Sequence, residues 1–85
     1  MNVLIPSALH SYTGKRRVEA VGSSLDELLR DLDKRYPGIR FRMINEQETI
    51  RPHIRIFVNG SQTFDLYRYL RAADEVAIVQ ALSGG

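Results

Sequence analysis

The amino-acid sequence predicts a single α+β domain in which a mixed sheet of four to five strands carries one main helix on one face. Three observations support this fold class: apolar runs near both ends of the chain, one helix with clear start and stop signals, and an Asn59-Gly60 turn between strand-like runs. The length of 85 residues allows one domain, because domains typically span about 50 to 250 residues. We therefore expect residues 1–81 to form the domain and residues 82–85 to form a flexible C-terminal tail.

The first predicted element is a strand. Residues 2–9 are apolar at nearly every position, as in a central strand that is covered on both faces. Pro6 argues against a regular strand throughout, because proline cannot donate to a strand ladder. Residues 12–15 include Gly14 and have the composition of a turn, and residues 16–21 alternate in polarity. This pattern predicts a hairpin with a short glycine-containing turn.

The helix is the clearest prediction. Ser24 and Glu27 have the spacing of a capping box, in which the serine hydroxyl accepts from the Glu27 amide and the Glu27 carboxylate reaches back to the Ser24 amide. The apolar residues that follow share one helical face: Leu25, Leu28, Leu29, Leu32 and Tyr36. Pro37-Gly38 ends the helix. The stripe fits a core-facing helix better than a partner-binding one, because a small sheet needs a helix to cover it.

The second half of the chain begins with an irregular connection. Residues 39–52 show no clear period and contain a polar loop at 45–48. Residues 53–58 mostly alternate in polarity and predict a strand. Asn59-Gly60 is the strongest short-range signal for a hairpin, with a short return strand at 61–64.

The last predicted strand spans residues 75–82, after an irregular connection at 66–70. It is apolar enough to be buried on both faces, as is the first strand. We therefore expect the first and last strands to be central neighbours. One helix crossing one face of such a sheet is the ubiquitin-like β-grasp roll.

The composition excludes several classes of function. The chain has no cysteine, which excludes disulfide scaffolds, thiolate metal sites, iron–sulfur clusters and a cysteine nucleophile. It has 12 Lys and Arg against 10 Asp and Glu, a net charge of only +2. No apolar run approaches the roughly 20 residues that span a bilayer, and the N-terminus shows no secretory leader. We expect a cytoplasmic protein without membrane contact.

No catalytic or metal-binding pattern is present in the sequence. His10 and His53 are the only histidines, and neither lies at ligand or triad spacing from another candidate. Gly22-Ser23-Ser24 precedes the helix like a weak phosphate signal, but helix capping explains it fully. The sequence therefore predicts no enzyme, no catalytic residue, no metal and no bound cofactor.

Nucleic-acid binding is the main alternative from a different class. Single-strand binders combine basic charges with stacking aromatic rings, and four arginines flank Phe41 and Phe57 in the sequence. These arginines are Arg40, Arg42, Arg51 and Arg55. An acidic protein partner would suit them equally well, and the low net charge makes nucleic acid the minority interpretation.

The C-terminal pair Gly84-Gly85 has no folding role that the sequence reveals. Two residues without Cβ leave an unhindered carboxylate on a thin strand that can enter a narrow slot. A carboxylate is a poor electrophile, but once another enzyme adenylates it the acyl-adenylate accepts a sulfur or nitrogen nucleophile. The pair is therefore a candidate group-carrying terminus.

Several segments together resemble the MoaD/ThiS family of ubiquitin-like sulfur carrier proteins, and the resemblance spans essentially the whole chain. The matching segments are Ser24–Leu29, Tyr36–Arg40, Phe57–Gly60, Asp74–Ile78 and Gly84-Gly85. Two features depart from the family: Ala72-Ala73 replaces the usual Asp-Gly before Asp74-Glu75, and Leu82-Ser83 precedes the glycines where relatives often have Val-Ala or Val-Thr.

The resemblance implies a protein cosubstrate and not a catalyst. An adenylating enzyme of the ubiquitin-activating type would use MgATP to activate Gly85, and a sulfur source would convert the terminus to a thiocarboxylate. A second, sulfur-accepting enzyme would then build a cofactor, an amino acid or another sulfur-containing metabolite. Gly84 would let the tail thread into the partner, with Leu82 and Ser83 at the mouth of the slot.

Two alternatives share this chemistry. One is the small subunit of molybdopterin synthase, which the Asn59-Gly60 turn and the long 40–52 segment make less favoured than a carrier for amino-acid or secondary-metabolite sulfur chemistry. The other is a ubiquitin-like protein modifier, which would form an amide with a target lysine.

Overall fold

The computed structural model describes residues 1–81. Its strands are β1 (Asn2–Leu4), β2 (Arg17–Glu19), β3 (Ile54–Val58), β4 (Ser61–Thr63) and β5 (Val76–Gln80). Its helices are α1 (His10–Thr13), α2 (Leu25–Arg35) and α3 (Ile39–Met43), and a 3-10 turn spans Ser7–Leu9. None of the helices in this part of the chain has the length and apolar character needed to cross a membrane.

The five strands form one mixed sheet in the order β2-β1-β5-β3-β4. β1 and β5 are parallel neighbours, and the other three pairings are antiparallel. The prediction that the first and last strands lie side by side inside the sheet is confirmed. Long helix α2 covers one face, so the predicted β-grasp roll is confirmed as well.

The core lies between α2 and the inner face of the sheet. The four leucines of the predicted stripe are fully buried: Leu25, Leu28, Leu29 and Leu32. On β3 the alternate residues Ile54, Ile56 and Val58 face them, as the two-residue period of a strand requires. Gly22 lies against the first turn of α2, where a Cβ atom would come within 2.5 Å of the Leu28 amide nitrogen. Only glycine allows this approach of the two backbones.

The cap of α2 follows the predicted capping box in one half only. The Ser24 hydroxyl accepts from the Glu27 amide at 3.2 Å, as predicted. The Glu27 carboxylate, however, accepts from the amide and hydroxyl of Ser23 at 3.0 and 2.7 Å, so the predicted bond to the Ser24 amide is wrong. On either side of Ser24 the backbone bonds to residues 68–70, which fixes the direction of the chain ahead of the helix.

The first two strands pair as predicted, but the connection between them is not a short turn. β1 ends at Leu4, because Pro6 cannot continue the ladder and the chain enters the 3-10 turn and α1. Gly14 ends α1 in the left-handed region with φ 70°, and its amide donates to the His10 carbonyl at 2.7 Å. The apolar residues after Leu4 therefore pack as helical turns and not as a strand.

Helix α3 was not predicted. Pro37-Gly38 ends α2, but Gly38 at φ 96° also begins α3. The Asp33 carboxylate accepts from the amides of Gly38 and Arg40, both at 3.1 Å, and so caps the new helix from the preceding one. The helix has only five residues, too few to show a helical period in the sequence.

The hairpin at Asn59-Gly60 is confirmed. Asn59 and Gly60 have φ values of 50° and 84°, both positive as a two-residue hairpin turn of the I′ type requires. The last strand was predicted to span residues 75–82, but β5 spans only Val76–Gln80. It begins one residue later than predicted, and Ala81 lies beyond its end. Leu82 lies outside the described residues.

Candidate functional site

The C-terminal end of β5 is the point from which the predicted tail leaves the domain. β5 is paired on both sides, with β1 and with β3. One residue later, the Ala81 amide donates to the His53 carbonyl at 2.7 Å. The chain is therefore held by the sheet up to Ala81. The predicted tail residues Leu82, Ser83, Gly84 and Gly85 lie outside the described residues.

A hollow of about 250 Å³ lies beside this exit point, between α1, α3 and the ends of β3 and β5. Its lining is Ala8, Leu9, Ser11, Tyr12, Arg42, His53 and Gln80. Arg42 and His53 also line an adjoining hollow with Phe41 and Arg51. The surface around Ala81 is therefore built by residues that are far apart in the sequence.

Three arginines near the exit point, here called the exit-end arginines, are each held by neutral groups. They are Arg42, Arg51 and Arg55. Arg42 Nε donates to the Tyr12 hydroxyl at 2.8 Å. The Arg51 guanidinium lies 4.6 Å from the centre of the Phe41 ring, and its Nε donates to the Phe41 carbonyl at 2.8 Å. Arg55 donates to backbone carbonyls at residues 52 and 54.

The exit-end arginines have no acidic partner within the domain. Among residues 1–81, no Asp or Glu oxygen lies within 4.0 Å of their guanidinium nitrogens. Arg42 is exposed, whereas Arg51 and Arg55 are half-buried. Hydrogen bonds and ring stacking thus fix three positive charges beside the exit point without neutralising them.

The structure divides the arginine stripe considered for nucleic-acid binding. Arg40 pairs with carboxylates of α2 and the 45–49 loop, whereas the other three arginines have no carboxylate within 4.0 Å among residues 1–81. The Phe41 ring carries Arg51 on one face, and Phe57 lies on the sheet and not beside Phe41. The described residues therefore do not bring the four arginines and two aromatic rings together as one stacking surface.

Arg40 belongs instead to a four-residue ion-pair cluster, the helix cluster: Asp26, Arg30, Arg40 and Glu48. One nitrogen of Arg40 contacts Asp26 at 3.2 Å and Glu48 at 3.1 Å. Arg30 contacts the same two acids at 2.9 and 3.0 Å. Burial acts to raise the pKa of Asp26, but the hydrogen bonds and charges of Arg30 and Arg40 outweigh it and hold that pKa below its ordinary value.

The outer face of the sheet, opposite α2, carries an apolar row. Strand register places Leu4 beside Ala77 and Ala77 beside Phe57, all three half-buried. Val79, two residues further along β5 toward the exit, is 42% exposed. The sequence shows that residues of a strand alternate between faces, but only the register shows that these four form one surface.

The histidines do not form a catalytic or metal-binding group. His10 Nε2 lies 3.0 Å from the Ile5 carbonyl, which it contacts across the turn. His53 is exposed at the exit end. Within residues 1–81, no group of three His, Asp or Glu side chains is placed to hold a metal ion.

Comparison with known proteins points to one family. The model of the ThiS family matches residues 3–85. The sulfur carrier protein CysO of Mycobacterium tuberculosis is 30% identical, with 100% of this chain and 98% of that protein covered.

Two solved structures are similar over almost their whole length. A chain of the crystal structure of the Amycolatopsis orientalis BexX/CysO complex has a TM-score of 0.90 and 31% identity, covering 99% of this chain and 98% of that chain. SAMP1 from Haloferax volcanii, a small archaeal modifier protein, has a TM-score of 0.80 and 26% identity, covering 100% and 98%.

Proposed function

Because the chain belongs to the ThiS family, we propose that it is a sulfur carrier protein that holds sulfur at the carboxyl carbon of Gly85. The observation that carries the proposal is the family match through residue 85 on a β-grasp fold, with residues 81–83 between the central strand β5 and Gly84-Gly85 in the sequence. The similarity to CysO supports the same assignment.

The proposed reaction has two steps, both catalysed by partner enzymes. A carboxylate oxygen of Gly85 attacks the α-phosphorus of MgATP, and pyrophosphate leaves, which gives an acyl-adenylate. Hydrosulfide (HS⁻) then attacks the acyl carbon, AMP leaves as the acyl–oxygen bond breaks, and loss of a proton gives the thiocarboxylate. The chain is the substrate in both steps, and we expect them in the cytoplasm, where MgATP is available.

The geometry at Ala81 suits delivery of the terminus to another protein. The sheet holds Ala81 in place, and four residues separate it from the end of the sequence. A chain of four residues spans at most about 14 Å even when fully extended. The partner must therefore bring its active site to the exit end of the domain, and the tail's two glycines allow entry into a narrow slot.

The outer face of the sheet is the surface that we propose the partners contact. Leu4, Phe57, Ala77 and Val79 form an apolar row that continues toward the exit end. An apolar centre with polar residues around it is typical of protein interfaces. The adenylating enzyme and the sulfur-accepting enzyme would use the same row in turn, because each needs the same terminus.

Intact mass spectrometry tests the proposal. The chain is incubated with the adenylating enzyme of its own organism, MgATP and a sulfide source, and we expect the mass increase that corresponds to replacement of one oxygen by sulfur. Deletion of Gly85 should abolish this increase and leave the fold unchanged, whereas Ser83→Ala should retain it. An unchanged mass, with an enzyme shown to be active on MgATP, would contradict the proposal.

A protein-modifier function is the second candidate, favoured by the likeness to SAMP1. It uses the same activated Gly85 but ends in an amide with a lysine of a target protein. Conjugates that survive both denaturation and mild base in an extract supplied with MgATP would support it, while thiocarboxylate without conjugates would favour the carrier.

A further inference from the structure

We propose that the exit-end arginines, Arg42, Arg51 and Arg55, bind an acidic protein surface that borders the slot into which the tail enters. This inference rests on the proposed function, because it assigns a contact to the partner that receives Gly85. Arg42 and Arg51 lie outside the apolar row of the outer sheet face, whereas Arg55 is the register partner of Val79 at the exit end of that row. The evidence is the position of the exit-end arginines, their charge and the contacts that fix their side chains.

The position follows from the reach of the tail. Gly85 can lie at most about 14 Å from Ala81, so a partner that acts on Gly85 must lie close to the surface around Ala81. The His53 carbonyl accepts a hydrogen bond from the Ala81 amide. Arg42 lines the same hollow as His53 and Gln80. Arg51 lies against Phe41 beside them. These charges are therefore inside or at the rim of any interface that accepts the tail.

The charge of this surface is uncompensated within the domain. The chain pairs Arg17, Arg30, Arg35 and Arg40 with its own carboxylates. For the exit-end arginines, residues 1–81 supply no carboxylate within 4.0 Å. Like charges gathered at one end of a domain raise the rate of association with a surface of opposite charge.

The guanidinium groups are also pre-positioned. The Tyr12 hydroxyl holds Arg42 at 2.8 Å, and the Phe41 ring and carbonyl hold Arg51. In both cases Nε is the bonded nitrogen, which leaves the two terminal nitrogens to form the paired hydrogen bonds that carboxylates accept. Because the side chains are ordered before binding, they lose less conformational entropy in the complex.

A protein carboxylate fits this surface better than a nucleic acid. Single-strand binding depends on aromatic faces open to bases, and here Arg51 covers one face of Phe41. The half-buried side chain of Phe57 lies in the apolar row of the sheet, between Ala77 and Gln62. Phe41 is thus left with at most one face on which a base could stack.

The test measures binding of the labelled chain to the adenylating enzyme of its organism by fluorescence anisotropy, with ATP–pyrophosphate exchange measured in parallel. For Arg42→Gln/Arg51→Gln we expect the dissociation constant to rise about tenfold at low salt, and the difference from the unmodified chain to shrink as salt is added. Arg42→Lys/Arg51→Lys keeps the charge but cannot form the paired guanidinium bonds, so we expect it to recover only part of the affinity.

The matched control is Arg68→Gln/Arg71→Gln, which removes the same charge from the other end of the domain. Arg68 and Arg71 lie in the segment that bonds to Ser23, Leu25 and Asp74, beside the start of α2 and of β5. We expect this control to change the affinity by less than about twofold. An equal loss in both double variants would overturn the inference, because net charge alone would then explain the effect.

Other outcomes separate this inference from the proposed function. A dissociation constant and an exchange rate that are both unchanged in Arg42→Gln/Arg51→Gln overturn the inference and leave the sulfur carrier function standing. If the unmodified chain binds the enzyme in an arginine-dependent way but supports no exchange, the inference stands and the proposed function is overturned. Faster exchange in the glutamine variant would show that the arginines hold the chain's own tail. Arginine-dependent binding that is tighter to oligothymidylate than to the enzyme would favour nucleic acid. Either result overturns the inference.

Discussion

Two groups of arginines from the same short stretch of sequence have opposite surroundings. Arg40 joins the helix cluster, where Asp26, Glu48 and Arg30 surround it with opposite and like charge. Arg42, two residues later, points to the exit end, where a tyrosine hydroxyl is its partner. The structural role of an arginine therefore depends on its side-chain partner and not on its place in a basic run. The helix cluster ties α2 to the residues after it, whereas the exit-end arginines have no carboxylate partner among residues 1–81.

The strongest way to break this comparison is to remove one arginine from each group. Arg40→Ala should lower the free energy of unfolding by about 2 kcal/mol, because it strips a mostly buried cation from the half-buried Asp26. Arg42→Ala should lower it by less than about 0.5 kcal/mol, since its side chain is exposed. Urea unfolding of both variants measures the difference. Equal losses would show that the exit-end arginines have a structural role.

Acid unfolding sharpens the comparison, because the helix cluster depends on ionised carboxylates. The pKa of Asp26 is lower in the folded chain than its ordinary value, so ionised Asp26 stabilises the fold above the unfolded pKa, and this contribution disappears as the pH falls through the folded pKa. The gap in melting temperature between the unmodified chain and Asp26→Asn should be widest above about pH 5 and narrow below about pH 4. A gap that does not change with pH would contradict this electrostatic account of the helix cluster.

Within the helix cluster, Glu48→Gln should have the smallest effect. Glu48 contacts Arg30 and Arg40, but its side chain is 52% exposed, so solvent screens both contacts. We expect a loss of about 0.5 kcal/mol in urea unfolding, reduced further by salt. A loss as large as that of Arg40→Ala would mean that Glu48, and not Asp26, is the main partner of Arg40.

The sequence predicts the elements whose signals are local. The capped leucine stripe of α2 and the Asn59-Gly60 turn are each contained in a few residues, and both are confirmed. Helix α3 was missed because its cap comes from Asp33, which lies in the preceding helix. The first strand was predicted too long and its connection to the second too short, because the apolar residues after Leu4 have no feature that separates helical turns from a strand.

The same limit applies to the candidate site. Gly84-Gly85 and the family resemblance are visible in the sequence, and the family is confirmed. The four arginines were also visible, but their separation depends on side-chain partners such as Tyr12 and Asp26, which come from other elements. The apolar row could not be assembled before the pairing of β1, β5 and β3 was known. The role of the tail residues stays a prediction.

The most direct test of the central claim is to locate the sulfur within the chain. After reaction with the adenylating enzyme, MgATP and sulfide, the C-terminal peptide is isolated and fragmented in a mass spectrometer. We predict that the added sulfur is found in the smallest C-terminal fragment, which consists of Gly85. Sulfur on any other residue, or an unmodified Gly85 in chains that support sulfur transfer, would contradict the account.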